Sequence, residues 1–303
     1  MKKIALFIML MYTLICNSYA VKAEGNASDY DINMKRDILI LMMAYPEYAV
    51  NVEKDNNGYV YLIMKSGKKI LYDDKKIKNF EQKLNNPDLE DMLEQIYPLC
   101  PIDDVMEKNF DPGRIRVYSL LNEVYGSSKK AIESNLVNVE KINCRFNKNN
   151  KAAESLKNVM DELLPLAKGN SKISSCIYPL SGTYNYRVIS GTGRLSPHAF
   201  GNAIDLARDN RDYWKWASIE QGRNRIKSYP KEIVEIFEKN NFVWGGKWNH
   251  FDILHFEYRP EIILKAKYFK DFYKKGEKWY EGIPINDENT KDNIKKIEAV
   301  LGN

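Results

Sequence analysis

The sequence predicts an α+β fold, in which a small antiparallel sheet is flanked by helices and preceded by a mainly helical N-terminal region. Three observations support this. Apolar residues recur at helical spacing in long stretches, as in Leu156, Val159, Met160, Leu163 and Leu164. Ala203 to Leu206 and His255 to Tyr258 read instead as short strands. Tyr59 to Met64 and Lys69 to Tyr72, joined by Ser66-Gly67-Lys68, read as a hairpin. A chain of 303 residues can bury an adequate core as one large domain or two modest ones.

In chain order, Met1-Lys2-Lys3 and the apolar run Ile4 to Cys16 have the charge and length of a secretory signal peptide. Small-residue cleavage sites follow at Ser18-Tyr19-Ala20 and Val21-Lys22-Ala23, so residues 1–23 are expected to be removed. The run is too short for a comfortable bilayer span, and no later stretch is long and apolar enough for one. Loss of the leader removes three lysines and no acids, taking the formal charge from +5 to +2. That balance disfavours a nucleic-acid partner and suits an extracytoplasmic protein. Cys100, Cys144 and Cys176 remain, and one bridge with one free thiol is expected among them, its pairing open. No Cys-x-x-Cys pair exists to suggest a cysteine metal site.

Lys35 to Tyr48 is expected to be a helix, with Ile38, Leu41, Met42 and Tyr45 on its apolar face. Lys78 to Tyr97 reads as another, ended by Pro98 and Pro101. A third is expected from about Asp111-Pro112-Gly113, carrying Ile115, Leu120, Leu121 and Val124. Asn150 is placed to cap the helix that contains Leu156 to Leu164. Gly169-Asn170-Ser171 ends that pattern, and Ser190-Gly191-Thr192-Gly193 reads as a turn, because a nucleotide loop requires a following helix. Pro230 opens a helix with Ile233, Ile236 and Phe237 inward, stopping near Asn241. The lysine- and aromatic-rich stretch Lys265 to Tyr280 reads as an amphipathic packing segment, and Thr290 to Leu301 as a surface or docking helix.

The chemistry lies in two segments. Histidine occurs only three times, yet His198 and His255 both stand near carboxylates, in Ser196-Pro197-His198 to Asp205 and in Asp252-Ile253-Leu254-His255. Imidazole and carboxylate are good zinc ligands, and a catalytic zinc has three protein ligands with one position left for water. His198, Asp205 and His255 can supply such a set. Here the first segment reads as a turn entering a strand at Gly201, and Asp252 as part of the turn before the second strand.

Ser-x-His, Asp and Asp-x-x-His, with Trp244-Gly245-Gly246-Lys247-Trp248 between, resemble the LAS metallopeptidases, specifically the VanY-like group of D-Ala-D-Ala carboxypeptidases and L-alanyl-D-glutamate endopeptidases. The resemblance runs from about Gly182 to Arg259 and implies zinc on His198, Asp205 and His255, with Asp252 as general base. It also implies an electrophile-stabilising arginine, matched by Arg187 in Gly182-Thr183-Tyr184-Asn185-Tyr186-Arg187. Ser196, Glu257, His250 and Trp248 are further candidates for contacts to substrate or to the ligands, and Glu257 is the rival base. Arg194 or Lys247 is a candidate for recognising a free substrate carboxylate. The substrate implied is the peptidoglycan stem peptide, cut either at a terminal D-Ala or between L-Ala and D-Glu. The alternative is a catalytically silent, zinc-stabilised wall-binding module, as the related zinc constellation of the hedgehog signalling domain suggests. The expected organisation is a signal peptide at 1–23, an N-terminal region at 24–170 packed on the core, a catalytic domain at 171–265 and a C-terminal extension at 266–303.

Overall fold

The computed structural model describes residues 27–271, 273–274 and 276–302. The expected signal peptide lies outside them. The architecture is α+β, with many helices around three small antiparallel sheets. None of the described helices is long and apolar enough to cross a membrane.

Helix α1 (Ala27–Ala44) begins earlier than expected and stops before Tyr45-Pro46, where proline restricts the preceding residue. Ile38, Leu39, Ile40, Leu41 and Met42 are all fully buried. The helix is therefore enclosed around its circumference rather than along one stripe. Strands β1 (Ala49–Lys54), β2 (Val60–Met64) and β3 (Lys69–Leu71) form an antiparallel meander. The hairpin β2–β3 was expected; β1 is polar enough to escape notice and is turned into β2 by Asp55, whose carboxylate accepts from Asn57 N and Tyr59 N, each at 2.9 Å.

The single helix expected over Lys78 to Tyr97 is two, α2 (Phe80–Asn85) and α3 (Leu89–Leu93). Pro87 interrupts it, and each piece has its own capping box, Asn79 with Gln82 and Asp88 with Asp91. Residues 111–117 are likewise not helical; α4 starts only at Tyr118 and runs to Tyr125. The Asp111 carboxylate caps no helix and instead accepts from His250. After α5 (Lys129–Glu133) come β4 (Leu136–Val139) and β5 (Cys144–Asn147), a two-stranded ribbon.

Helix α6 (Ala152–Gly169) buries Leu156, Val159, Met160 and Leu163 as its spacing requires. Asn150 does not cap it: its φ is 50° and its amide donates to the Ala44 carbonyl at 2.9 Å, tying the turn to α1. Asn170 ends α6 and caps α7 (Ser171–Ile177) by accepting from Lys172 N and Ile173 N. Cys144 and Cys176 are both free thiols, so the bridge expected among the three cysteines does not form; Cys176 lies instead against the Arg225 guanidinium, 3.8 Å away.

The remaining elements build the third sheet. They are α8 (Pro197–Phe200), β6 (Ala203–Asp205), α9 (Ile219–Ser228), α10 (Lys231–Lys239), β7 (Phe242–Trp244) and β8 (His255–Tyr258), followed by α11 (Pro260–Tyr268) and α12 (Glu288–Leu301). The strand order is β6-β8-β7, all antiparallel, with β8 in the middle and buried on both faces. From α10, Phe237 stacks on Phe256 at 3.9 Å and covers one face. Helices α11 and α12 pack on α1. Arg36 of α1 donates to the Trp279 carbonyl at 2.8 Å and lies 4.7 Å over Phe269, and both rings are buried, so Phe269 and Trp279 of this stretch are used for packing.

Candidate metal centre and cleft

Ser196-Pro197-His198 is not a plain turn but one helical turn, α8, with Pro197 in its first position. Gly201 ends it at φ 69°, where a side chain is strained and a Cβ would stand 2.6 Å from Leu136 Cδ2. This sharp reversal lets β6 begin two residues later. The register Asp205↔His255 then sets the two side chains opposite one another. Asp205 Oδ1 lies 2.8 Å from His255 Nδ1, and His198 Nε2 lies 3.2 Å from each of them.

Ligand atoms about 2.0–2.1 Å from a tetrahedral zinc are about 3.3 Å apart. The triangle is slightly tighter than that and of the right kind. Its outer contacts also suit a metal site. His198 Nδ1 is 2.6 Å from the Thr183 carbonyl, so Nδ1 carries the proton and Nε2 presents its lone pair to the triangle. His255 Nε2 lies 3.8 Å from Glu257 Oε2, leaving Nδ1 for the triangle.

The charges at the centre are set against one another. Burial alone would lift Asp205, but His198 and His255 outweigh it and hold the carboxyl well below its usual range. His255 would be lowered by burial, yet its hydrogen bond to Asp205 and the nearby Glu257 carboxylate raise it to about 10. The carboxylates thus favour a proton on the ring, and a cation held here would take that proton's place. Glu257 is fully buried and ionised, because the Arg116 guanidinium outweighs the cost of burial. Arg116 Nε donates to Glu257 Oε1 at 2.8 Å and Nη2 to Oε2 at 2.5 Å.

Asp252 sits in the turn before β8. Its N–H donates to the Gly245 carbonyl at 2.9 Å, and its carbonyl accepts from His255 N at 3.1 Å. Gly245 has no room for a side chain, since a Cβ would collide with the Asp252 carbonyl. Burial first, and then the charge of Asp205, raise the Asp252 carboxyl to about 6 against the opposing pull of His255. Lys247 holds the same turn from behind: its ammonium is buried, 2.5 Å from Glu238 Oε1 and 2.6 Å from the Pro98 carbonyl.

A cleft of about 240 Å³ opens over the triangle and is lined by Arg187, Ser196, His198, Asp205, Trp248, His250, Asp252 and His255, among others. Arg187 is exposed, at the base of a hairpin closed by the Val188↔Leu195 bridge, with Ser190-Gly191-Thr192-Gly193 at the tip. Ser196 is buried and its N–H donates to the Arg187 carbonyl at 3.0 Å. Trp248 is tilted against His255 at 5.7 Å between ring centres and donates to the Pro112 carbonyl at 2.8 Å. His250 Nδ1 is 2.6 Å from Asp111 Oδ2, and the ring stacks on Phe80.

Glu257 is turned away from the cleft toward Arg116 and is absent from its lining, so it does not have the position of a base. Lys247 is buried with Glu238, and Arg194 donates to the Leu84 carbonyl; neither lines the cleft, so neither is available to a substrate carboxylate there. Sequence reasoning missed Arg114, Arg116 and Arg208, all of which line it. Arg116 and Glu257 are separated by 141 residues, and no linear pattern joins them.

Residues 190–258 match the model of a peptidase family described as D-alanyl-D-alanine carboxypeptidase. The span starts at the hairpin tip and ends with β8, thereby including His198, Asp205, Asp252, His255 and Glu257 but not Arg187, Arg114 or Arg116. No curated protein and no solved structure matches the chain. Residues 190–258, which hold the whole ligand triangle, are thus similar to peptidases of the D-alanyl-D-alanine carboxypeptidase family.

Proposed function

We propose that this protein is a zinc-dependent peptidase that hydrolyses peptidoglycan stem peptides outside the cytoplasm, as a D-Ala-D-Ala carboxypeptidase or an L-Ala-D-Glu endopeptidase. The observation that carries the reading is the triangle of His198 Nε2, Asp205 Oδ1 and His255 Nδ1 in a cleft that also holds Asp252. The match to the carboxypeptidase family supports it, and the leader expected at residues 1–23 supports export.

His198, Asp205 and His255 hold the metal in this reading. Held by these three residues, a zinc ion would supply an acidified water, with a pKa of about 7, and Lewis acidity toward the scissile carbonyl. Asp252 takes the proton of the attacking water and passes it to the departing amine, a role worth about 10²- to 10⁴-fold in rate. Its raised pKa suits a group that must first accept and then return a proton. Arg187 donates to the carbonyl oxygen as negative charge builds on it. Glu257, charged and clamped by Arg116, orients the His255 ring. Trp248 covers that ring on the cleft side.

The test is incubation of the leaderless protein with purified peptidoglycan, with and without a chelator, beside an Asp252→Ala control, reading released fragments by mass spectrometry. Chelator-sensitive release that the control lacks supports the peptidase, and fragment masses name the bond. A zinc-replete, folded protein that releases nothing from several wall chemistries is instead a zinc-stabilised wall-binding module.

A further inference from the structure

Four arginines line the cleft, Arg114, Arg116, Arg187 and Arg208. Two of them are neutralised inside the protein: Arg116 by Glu257 at 2.5 Å and Arg114 by Asp111 at 2.9 Å. The acids nearest in sequence to Arg208 are also engaged elsewhere. Asp209 pairs with Arg211 at 2.6 Å, and Asp212 with Arg225 at 2.8 Å. Among the described residues, Arg187 and Arg208 are left as cleft cations without an ion pair. Arg187 has its role above. Arg208 has none.

Arg208 follows β6 directly, three residues after Asp205, and is exposed. Its guanidinium is held over the ring of Trp216, 5.5 Å from the centroid. Trp216 is itself 64% exposed, which is unusual for tryptophan, and is braced by the edge of Tyr213 at 5.0 Å. Tyr213 is in turn bridged to Asp252 through the backbone. Contact with an aromatic face orients a guanidinium without consuming its N–H donors. The result is an oriented, unpaired N–H fork beside the metal triangle, and a fork of this geometry is complementary to a carboxylate.

We infer that Arg208 binds a carboxylate of the peptide substrate and that Trp216 is the positioning residue that holds it. This rests on the peptidase reading for the identity of the ligand. Arg208 thereby selects for peptides that carry a free carboxylate near the cleaved bond, over the same peptides with that group amidated.

The experiment uses a synthetic stem pentapeptide and analogues each amidated at one carboxyl, with zinc-loaded wild type, Arg208→Ala, Arg208→Lys and Trp216→Leu. For the free peptide, Arg208→Ala is expected to raise KM roughly 10- to 100-fold with kcat changed only a few-fold, as for loss of a charged hydrogen bond. Arg208→Lys restores part of that loss, and Trp216→Leu shows a smaller rise. With one particular amidated analogue, wild type already has the raised KM and Arg208→Ala adds nothing. Equal KM for wild type and Arg208→Ala on every peptide, or the same rise on all analogues, overturns the inference. Thermal melting and zinc content, unchanged in Arg208→Ala, exclude misfolding as the cause. If wild type cleaves none of the peptides, the peptidase reading fails separately. Equilibrium binding of the same peptides to the zinc-loaded Asp252→Ala protein then decides the carboxylate site: selective loss with Arg208→Ala sustains it, and no loss ends it.

Discussion

Asp205 and His255 are direct cross-strand partners in the β6–β8 ladder, and Asp205 Oδ1 lies 2.8 Å from His255 Nδ1. Two of the three proposed metal ligands are thus located by strand register, the most rigid relation available in this part of the fold. His198 is brought to them by a single helical turn ended at Gly201. Replacing His198, Asp205 or His255 by Ala should each reduce bound zinc in purified, folded protein to well under one equivalent. Elemental analysis after dialysis, with circular dichroism to verify folding, measures this.

Arg116 is the sole guanidinium bonded bidentately to the fully buried Glu257 among the described residues. Arg116→Leu leaves that carboxylate without its main partner and is expected to cost about 3–5 kcal/mol of stability. Zinc affinity should also fall, by about 10- to 100-fold, because Glu257 stands behind His255. A melting curve reads the first effect and a competitive chelator titration the second. Adding Glu257→Gln should recover stability without recovering the affinity.

Lys247 and Glu238 form a buried pair that also engages Tyr97, and its lysine anchors the Gly245-Gly246 turn behind Asp252. Lys247→Met is expected to destabilise the fold by about 3–5 kcal/mol, while the double change with Glu238→Leu regains most of it. Chemical denaturation of both variants distinguishes a buried charge from a packing defect.

Glu90 supplies a pH dependence away from the metal. Burial, assisted by the charge of Glu94, raises its carboxyl to about 7. A raised acid binds its proton more tightly in the folded state, so its contribution is complete at acid pH, below the unfolded pKa. That contribution is lost as pH rises through about 7. Glu90→Gln should therefore raise the melting temperature at pH 8, by an amount corresponding to about 1 kcal/mol, and leave it nearly unchanged at pH 4. An equal gain at both pH values contradicts the assignment.

Gly201→Ala introduces a Cβ at positive φ, 2.6 Å from Leu136 Cδ2 and 3.3 Å from Asn147 N. Destabilisation of about 1–3 kcal/mol is expected from strain and overlap together. Since His198 and Asp205 flank this position, bound zinc in the variant should exchange faster with a chelator than in wild type.

By itself, the sequence determined the α+β class, the β2–β3 hairpin, the inward faces of α6 and α10, and the segments that form β6 and β8. These depend on local periodicity and turn chemistry, which are written within a dozen residues. It also brought His198, Asp205 and His255 forward as a group, because scarce histidines near acids have few other readings, and Asp252 through the family resemblance. Only the tertiary structure decided the rest. Asn150 reads as a cap in sequence, but a distant carbonyl of α1 takes its amide. Residues 111–117 have the composition of a helix start, yet they remain non-helical because His250, Trp248 and Glu257 take the groups of Asp111, Pro112 and Arg116. The availability of each arginine and lysine was equally invisible. Arg194, Lys247 and Arg208 differ little as local sequence, and what separates them is whether an acceptor from another part of the chain arrives to bind them. Long charged side chains choose partners by three-dimensional proximity, and local pattern does not encode that choice.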